Sequence, residues 1–128
     1  MRVVNGGEVV MTNTILVSHE VGIYVDSGCT ATLEATLWGI GPWANGTDWS
    51  GSGTILTGTH NYRGDPAFLA PDDGNYHIRA GSAALDRGVD AGVSADIDGD
   101  PRPAGSAPDL GADEGRFVHL PLVLRSYP

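Results

Sequence analysis

Residues Glu8 to Leu16, EVVMTNTIL, align with Thr30 to Trp38, TATLEATLW, at an offset of 22. The alignment keeps Thr14 with Thr36 and sets apolar Met11 and Ile15 opposite Leu33 and Leu37. A period of this length is one turn of a solenoid, whose repeats are too small to bury an inner face alone and must stack. Between the two copies, Val21 to Gly28 reads as another short strand closed by a turn, so each coil holds two or three strands. Stacked strands then pair in parallel and like residues fall in columns. Asn13 sits at a turn between strand-like runs, where its side chain can bond neighbouring backbone; Ala35 replaces it one coil later, breaking any asparagine ladder.

The rest of the chain agrees with an all-β reading. Nineteen Gly and eight Pro accompany short runs of Thr, Val and Ile, and there is no long amphipathic stretch. Gly39 to Gly53, rich in Gly, Trp, Asn and Ser, reads as a long loop, after which Thr54 to Thr59 resumes a third, degenerate coil. Asp65 to Leu69 and Asn75 to Ile78 flank the turn Pro71-Asp72-Asp73-Gly74. Ser82 is a good N-cap and Gly88 a stop, so one helical turn is expected between them. Val89 to Gly115 is too polar for a separate core and must be pinned by local bonds, by an ion or by packing on the solenoid.

A resemblance joins these segments. Asp65-Pro66-x-Phe68, Tyr76-His77-Ile78-Arg79-Ala80-Gly81-Ser82-Ala83-Ala84-Leu85-Asp86-Arg87-Gly88, Asp96-Ile97-Asp98-Gly99-Asp100-Pro101-Arg102-Pro103 and Asp109-Leu110-Gly111-Ala112-Asp113-Glu114 follow one another in the order of the choice-of-anchor Q domain, which they resemble. The sequence departs from that pattern at Ala83 for Pro, Asp100 for Asn and Asp113 for Tyr. The resemblance implies the C-terminal end of a secreted bacterial protein built on a pectin-lyase-like β-helix, lying before a surface-anchoring signal. It assigns no catalytic residue. The expected fold is therefore all-β: a right-handed parallel β-helix of few coils over residues 1–70, an irregular C-terminal cap over 71–115, and an apolar tail over 116–128.

Charge narrows the partners. Sixteen Asp and Glu face seven Arg and no Lys, a net charge of −9 that repels phosphate backbones and argues against nucleic acid. No run approaches the length of a membrane span, and the start lacks the apolar core of a signal peptide, so an export signal is expected outside the chain. Cys29 is alone, which excludes an intrachain disulfide.

Three groups of side chains carry chemistry. Asp96, Asp98 and Asp100 sit on a turn opened by Gly99, where three carboxylates can converge on Ca²⁺, a cation that takes six to eight oxygens. The EF-hand pattern is not met, since Ala107 occupies the twelfth position. Arg102 offers a metal-free alternative, its guanidinium satisfying the carboxylates of the same turn. Asp26 and Asp48 are 22 apart and would stack as an acid–nucleophile pair if the register held through the Gly39 to Gly53 loop. Trp38, Trp43 and Trp49 cluster near Asn45 and Asp48, as in a glycan contact, although packing is the commoner use of Trp. Asn45-Gly46-Thr47 fits a glycosylation sequon that short patterns meet by chance.

The reading that follows is a non-catalytic capping and surface-display segment, extracellular or at the cell surface, whose partner is a polysaccharide or another surface component. Its rivals are a remnant of a polysaccharide lyase or glycoside hydrolase, and a glycan-binding module. Self-association is expected through an open solenoid end or through the tail, where seven of the eight residues Phe117 to Leu124 are apolar or Pro.

Overall fold

The computed structural model describes residues 1–115. The chain is all-β, and parallel pairing dominates. Its strands are β1 (Arg2–Val3), β2 (Glu8–Leu16), β3 (Val21–Val25), β4 (Thr30–Gly39), β5 (Thr47–Ser50), β6 (Thr54–Thr57), β7 (Tyr62–Gly64), β8 (Phe68–Ala70) and β9 (Asn75–Ile78). One sheet has the order β1-β3-β5 and a second the order β2-β4-β6, with β7 also paired to β4. The tail, with the docking expected of Phe117 to Leu124, lies outside the described residues.

The 22-residue offset is the observed register. Glu8 pairs with Thr30, Met11 with Leu33, Thr14 with Thr36 and Leu16 with Trp38, all in parallel; Val3 pairs with Val25 in the other sheet. On the next pass the spacing lengthens, with Val21 opposite Thr47 and Thr30 opposite Thr54. The extra residues lie between Gly39 and Thr47, in a segment that carries a 3-10 turn at Gly41–Trp43. The expected loop over Gly39 to Gly53 is thus corrected: its second half is strand β5, paired with β3. Gly22 allows that pairing, because a Cβ there would stand 2.5 Å from the Asp48 carbonyl oxygen.

Asn13 and Ala35 interrupt β2 and β4 at the same height, each with positive φ, 53° in both. An alternating strand would put Met11 and Ile15 on one face. The left-handed residue between them breaks that parity and separates two cores. Met11, Leu33, Ile23, Val25, Ala31 and Trp38 fill the space between the two sheets. Ile15, Leu37 and Tyr62 join Phe68, Ile78, Ala84 and Leu110 in a second cluster. Strand β4 records the change. It alternates half-buried and buried up to Glu34, then is buried at every residue from Ala35 to Gly39, as expected where both faces of a strand are covered.

The covering comes from the C-terminal segment. Because the second cluster takes residues from three successive passes, Ile15, Leu37 and Tyr62, the segment from β8 to Leu110 lies along the flank of the stack. An end cap would touch the last pass alone. Strands β8 and β9 form an antiparallel hairpin across the 3-10 turn Pro71–Asp73, closed by Gly74 at φ 76°. Ser82 accepts the Ala84 amide at its hydroxyl, 3.1 Å, and the Leu85 amide at its carbonyl, 3.3 Å, so the expected helical stretch is a capped turn that goes no further.

Candidate functional site

Asp96, Asp98, Asp100, Asp109, Asp113 and Glu114 of the C-terminal segment fold into one connected network. Asp96 is its organiser: Oδ1 accepts the amides of Asp98 and Asp100, both at 2.9 Å, and Oδ2 accepts that of Glu114 at 2.8 Å. Burial disfavours its charged form, yet the amides of Glu114, Asp100 and Asp98 outweigh this and hold the carboxyl below its usual range. Carboxylate oxygens of Asp96, Asp98 and Asp100 lie within 4.8 Å of one another, so the expected convergence is present.

The Arg102 guanidinium engages Glu114 and Gly111. Nε donates to Glu114 at 2.9 Å and Nη2 to the Gly111 carbonyl at 3.0 Å, with both charged side chains buried. In place of the Arg102 alternative, backbone amides satisfy the Asp96 carboxylate that organises the turn, and the guanidinium pairs with Glu114. Glu114 also accepts the amides of Ala104 and Asp109. Beside it, Asp109 accepts those of Asp86 at 2.7 Å and Gly115 at 2.6 Å. Burial, with the charges of Glu114 and Asp86, pushes the Asp109 carboxyl up to about 6 despite those two bonds.

A second group shares the Asp98 edge. His77 on β9 brings Nε2 to 2.5 Å from Asp98 Oδ2, and its Nδ1 lies 2.5 Å from Asn75 Oδ1. Asp113, whose Oδ2 accepts the Ile78 amide at 2.9 Å, completes a set of donor atoms within 4.8 Å. The hydrogen bond to Asp98 raises the His77 pKa, and burial raises that of Asp113. Composition gave no signal for this group. His77 and Asp98 meet only because the hairpin and the Gly99 turn pack together.

Asp26 and Asp48 do not stack. The longer second pass sets Asp48 between the partners of Val21 and Ile23. Arg2 binds Asp26 at 3.0 Å and Arg63 binds Asp48 at 2.5 Å, so each carboxylate has its own cation. The three tryptophans divide as well. Trp38 is in the inter-sheet core, edge-on to Trp49 at 5.4 Å, whereas Trp43 packs edge-on against Phe68 at 5.3 Å in the flank cluster. Trp49, 38% exposed, is the one that presents substantial surface. It lines a cavity of about 390 Å³ with Trp38, His60, Asn61 and Arg63. Asn45 of the sequon donates to the Leu16 carbonyl and accepts the His19 amide, a bridge between passes that glycosylation would break.

A groove of about 760 Å³ separates the first pass from the hairpin, walled by Ile15, Val17, Trp43, Phe68, Tyr76 and Ile78. Among the described residues no helix is long and apolar enough to cross a membrane. No protein-family model, curated protein or solved structure matches this chain.

Proposed function

We propose that this chain is a non-catalytic structural segment of a right-handed parallel β-helix protein, exported and displayed at the bacterial cell surface. The carrying observation is where the acids go: Asp26, Asp48 and Glu114 each pair with an arginine, and Asp96 and Asp109 are bonded to backbone amides. Hydrolases and lyases need convergent carboxylates or cations free to meet a substrate. Here those groups hold the fold. The parallel registers and the two sheets enclosing one core support the β-helix reading, and the near-universal right-handedness of parallel crossovers supplies the hand. Export and display rest on the resemblance of Asp65 to Glu114 to the choice-of-anchor Q domain. Self-association is part of the same reading, through unpaired strand edges or the apolar tail.

The test is a screen of acidic and neutral polysaccharides for new reducing ends or unsaturated sugars. The expectation is no release above a heat-treated control. Turnover abolished by Asp48→Asn would replace the structural reading with an enzymatic one.

The exposed face of Trp49 beside Arg63 and Asn61 favours one second reading, a glycan contact. A glycan array comparing the chain with Trp49→Ala separates the two: binding lost with that ring supports a module, and no binding by either leaves the structural reading standing.

A further inference from the structure

We propose that copies of this chain stack head to tail, β1 and β2 of one copy continuing the two sheets beyond β5 and β6 of another. This rests on the β-helix reading and goes beyond it by naming both surfaces and their register. Among the described residues, β1 and β2 are the strands at one end of their sheets, and β5 and β6 are those at the other. The C-terminal segment lies along the flank.

The inward columns show what each end lacks. Val9, Ala31 and Ile55 are successive members of one column. Ala31 in the middle is fully buried, whereas Val9 and Ile55 at the two ends are half-buried. Ile23 and Trp49 belong to another column, which the bond from the Tyr24 amide to the Met1 carbonyl extends to Met1. Ile23 is fully buried, but Met1 is 55% exposed and Trp49 38%. The cavity of about 390 Å³ bounded by Trp38, Trp49 and Thr57 lies at the β5 and β6 end of the inter-sheet core.

A second copy supplies what is missing, because the chain's own register, carried one pass further, brings complementary residues together. Glu8 falls opposite Thr54, Val9 opposite Ile55, Val10 opposite Leu56 and Met11 opposite Thr57. Met1 and Met11 then close the core beside Trp49. Val10 and Leu56, 68% and 51% exposed on the outer face, cover one another. No like charges meet, since β6 carries none and Arg2 falls opposite Ser50. The backbone fits as well, because alternate residues of a strand turn their hydrogen-bonding groups to opposite neighbours. Thr54 and Gly58 donate to Cys29 and Leu33, so Ile55 and Thr57 face the open edge. Gly7 accepts the Thr30 amide, so Glu8 and Val10 face the edge at the other end. Because the two surfaces differ, every added copy leaves one of each free, and assembly grows as a filament instead of closing as a dimer.

The experiment is sedimentation of the full chain over a range of concentration, joined to disulfide trapping in the double variant Val10→Cys, Leu56→Cys. Within one copy these positions flank the strand that carries Thr32, two spacings or about 9.6 Å apart, too far for a disulfide; across the junction they are one spacing apart. The mean mass of the unaltered chain should rise past that of a dimer without a plateau. Mild oxidation of the double variant should give dimers, trimers and longer species, while each single variant, with Cys29 buried, stays unlinked. Mixing the two single variants should give disulfide dimers alone. A chain that stays monomeric, a dimer that stops growing, or Val10→Cys linking to itself would each overturn the proposal. Sedimentation needs no variant, so a folding defect in the cysteine chains leaves the test intact. Failure here is distinct from failure of the structural reading, which the polysaccharide screen reads as turnover and not as mass.

Discussion

Asn13 joins the first pass of the stack to the C-terminal segment, and replacing it with Ala should cost a large share of the stability. Its Nδ2 donates to the Val89 carbonyl at 2.7 Å and its Oδ1 accepts the Val89 amide at 2.8 Å, across 76 positions of sequence. Two such bonds in partly buried surroundings contribute about 1 kcal/mol each, and more if their partners are left unsatisfied. Asn13 also has φ 53°, where Ala is disfavoured by about 1 kcal/mol. Asn13→Ala should therefore destabilise by roughly 3 kcal/mol, and Asn13→Gly, which keeps the backbone freedom, by roughly 2 kcal/mol. For a domain of this size the larger loss lowers Tm by about 10 °C. Urea unfolding followed by tryptophan fluorescence reads both variants, and the midpoint should fall at unchanged m-value. Losses below about 0.5 kcal/mol in both would refute the idea that this side chain clamps the flank. Gly88 sits in the same contact: a Cβ there would meet the Pro108 carbonyl oxygen at 2.7 Å and Asn13 Oδ1 at 2.8 Å. Gly88→Ala should then weaken the clamp from the other side, with a non-additive double mutant as the sign that both act on one contact.

Other perturbations probe the rest of the structure. Thr36 carries a fully buried hydroxyl without a hydrogen-bond partner among the described residues, so the near-isosteric Thr36→Val should raise the urea midpoint, by about 1 kcal/mol; a loss would mean the hydroxyl is satisfied. Leu33→Ala removes a fully buried side chain from the inter-sheet core and should cost about 2–5 kcal/mol in the same assay. Arg102→Met leaves the buried Glu114 carboxylate without its cation and should cost about 3–5 kcal/mol, a penalty that the double variant Arg102→Met, Glu114→Gln should partly relieve. Asp109 binds its proton more tightly in the folded chain than in the unfolded one, with a pKa of about 6 against 3.8. Its contribution therefore grows as pH falls from about 6 toward 4 and is lost as pH rises through 6, on the order of 3 kcal/mol at full extent. That portion of the stability-against-pH slope should be missing in Asp109→Asn.

How far the fold can be read from the sequence depends on whether the signal is local. The first repeat is legible because both copies have the same length between their Thr residues, so Thr14 and Thr36 mark the register directly. The second interval is not, because the chain adds residues between Gly39 and Thr47 while keeping a parallel partner for β3. Thr47 to Ser50 has loop-like neighbours, and its strand character comes from pairing with Val21 to Tyr24. The same insertion defeats the Asp26–Asp48 alignment, which assumed a constant period. Asn13 was legible as a corner residue, but its partner Val89 was not, since nothing short-range connects them.

The placement of the C-terminal segment follows from the left-handed residues at Asn13 and Ala35. Continuous alternation makes Ile15 and Leu37 inward residues like Met11 and Leu33, and a chain with all four inward needs nothing on its flank. With φ at 53° in both positions, Ile15 and Leu37 leave the inter-sheet core, and an apolar column forms on the outside of the stack. Such a column is unstable in water, at about 25 cal/mol for each Å² of apolar surface exposed. Phe68, Ile78, Ala84 and Leu110 cover it, although the segment that carries them is too polar to form a core of its own. The acids of that segment then serve the covering. Asp113 holds β9 through Ile78, Asp109 and Glu114 gather the backbone around Leu110, and Arg102 neutralises the buried charge that results. The left-handed corner thus creates the apolar flank, and the polar segment supplies both its cover and the hydrogen bonds that fix it there.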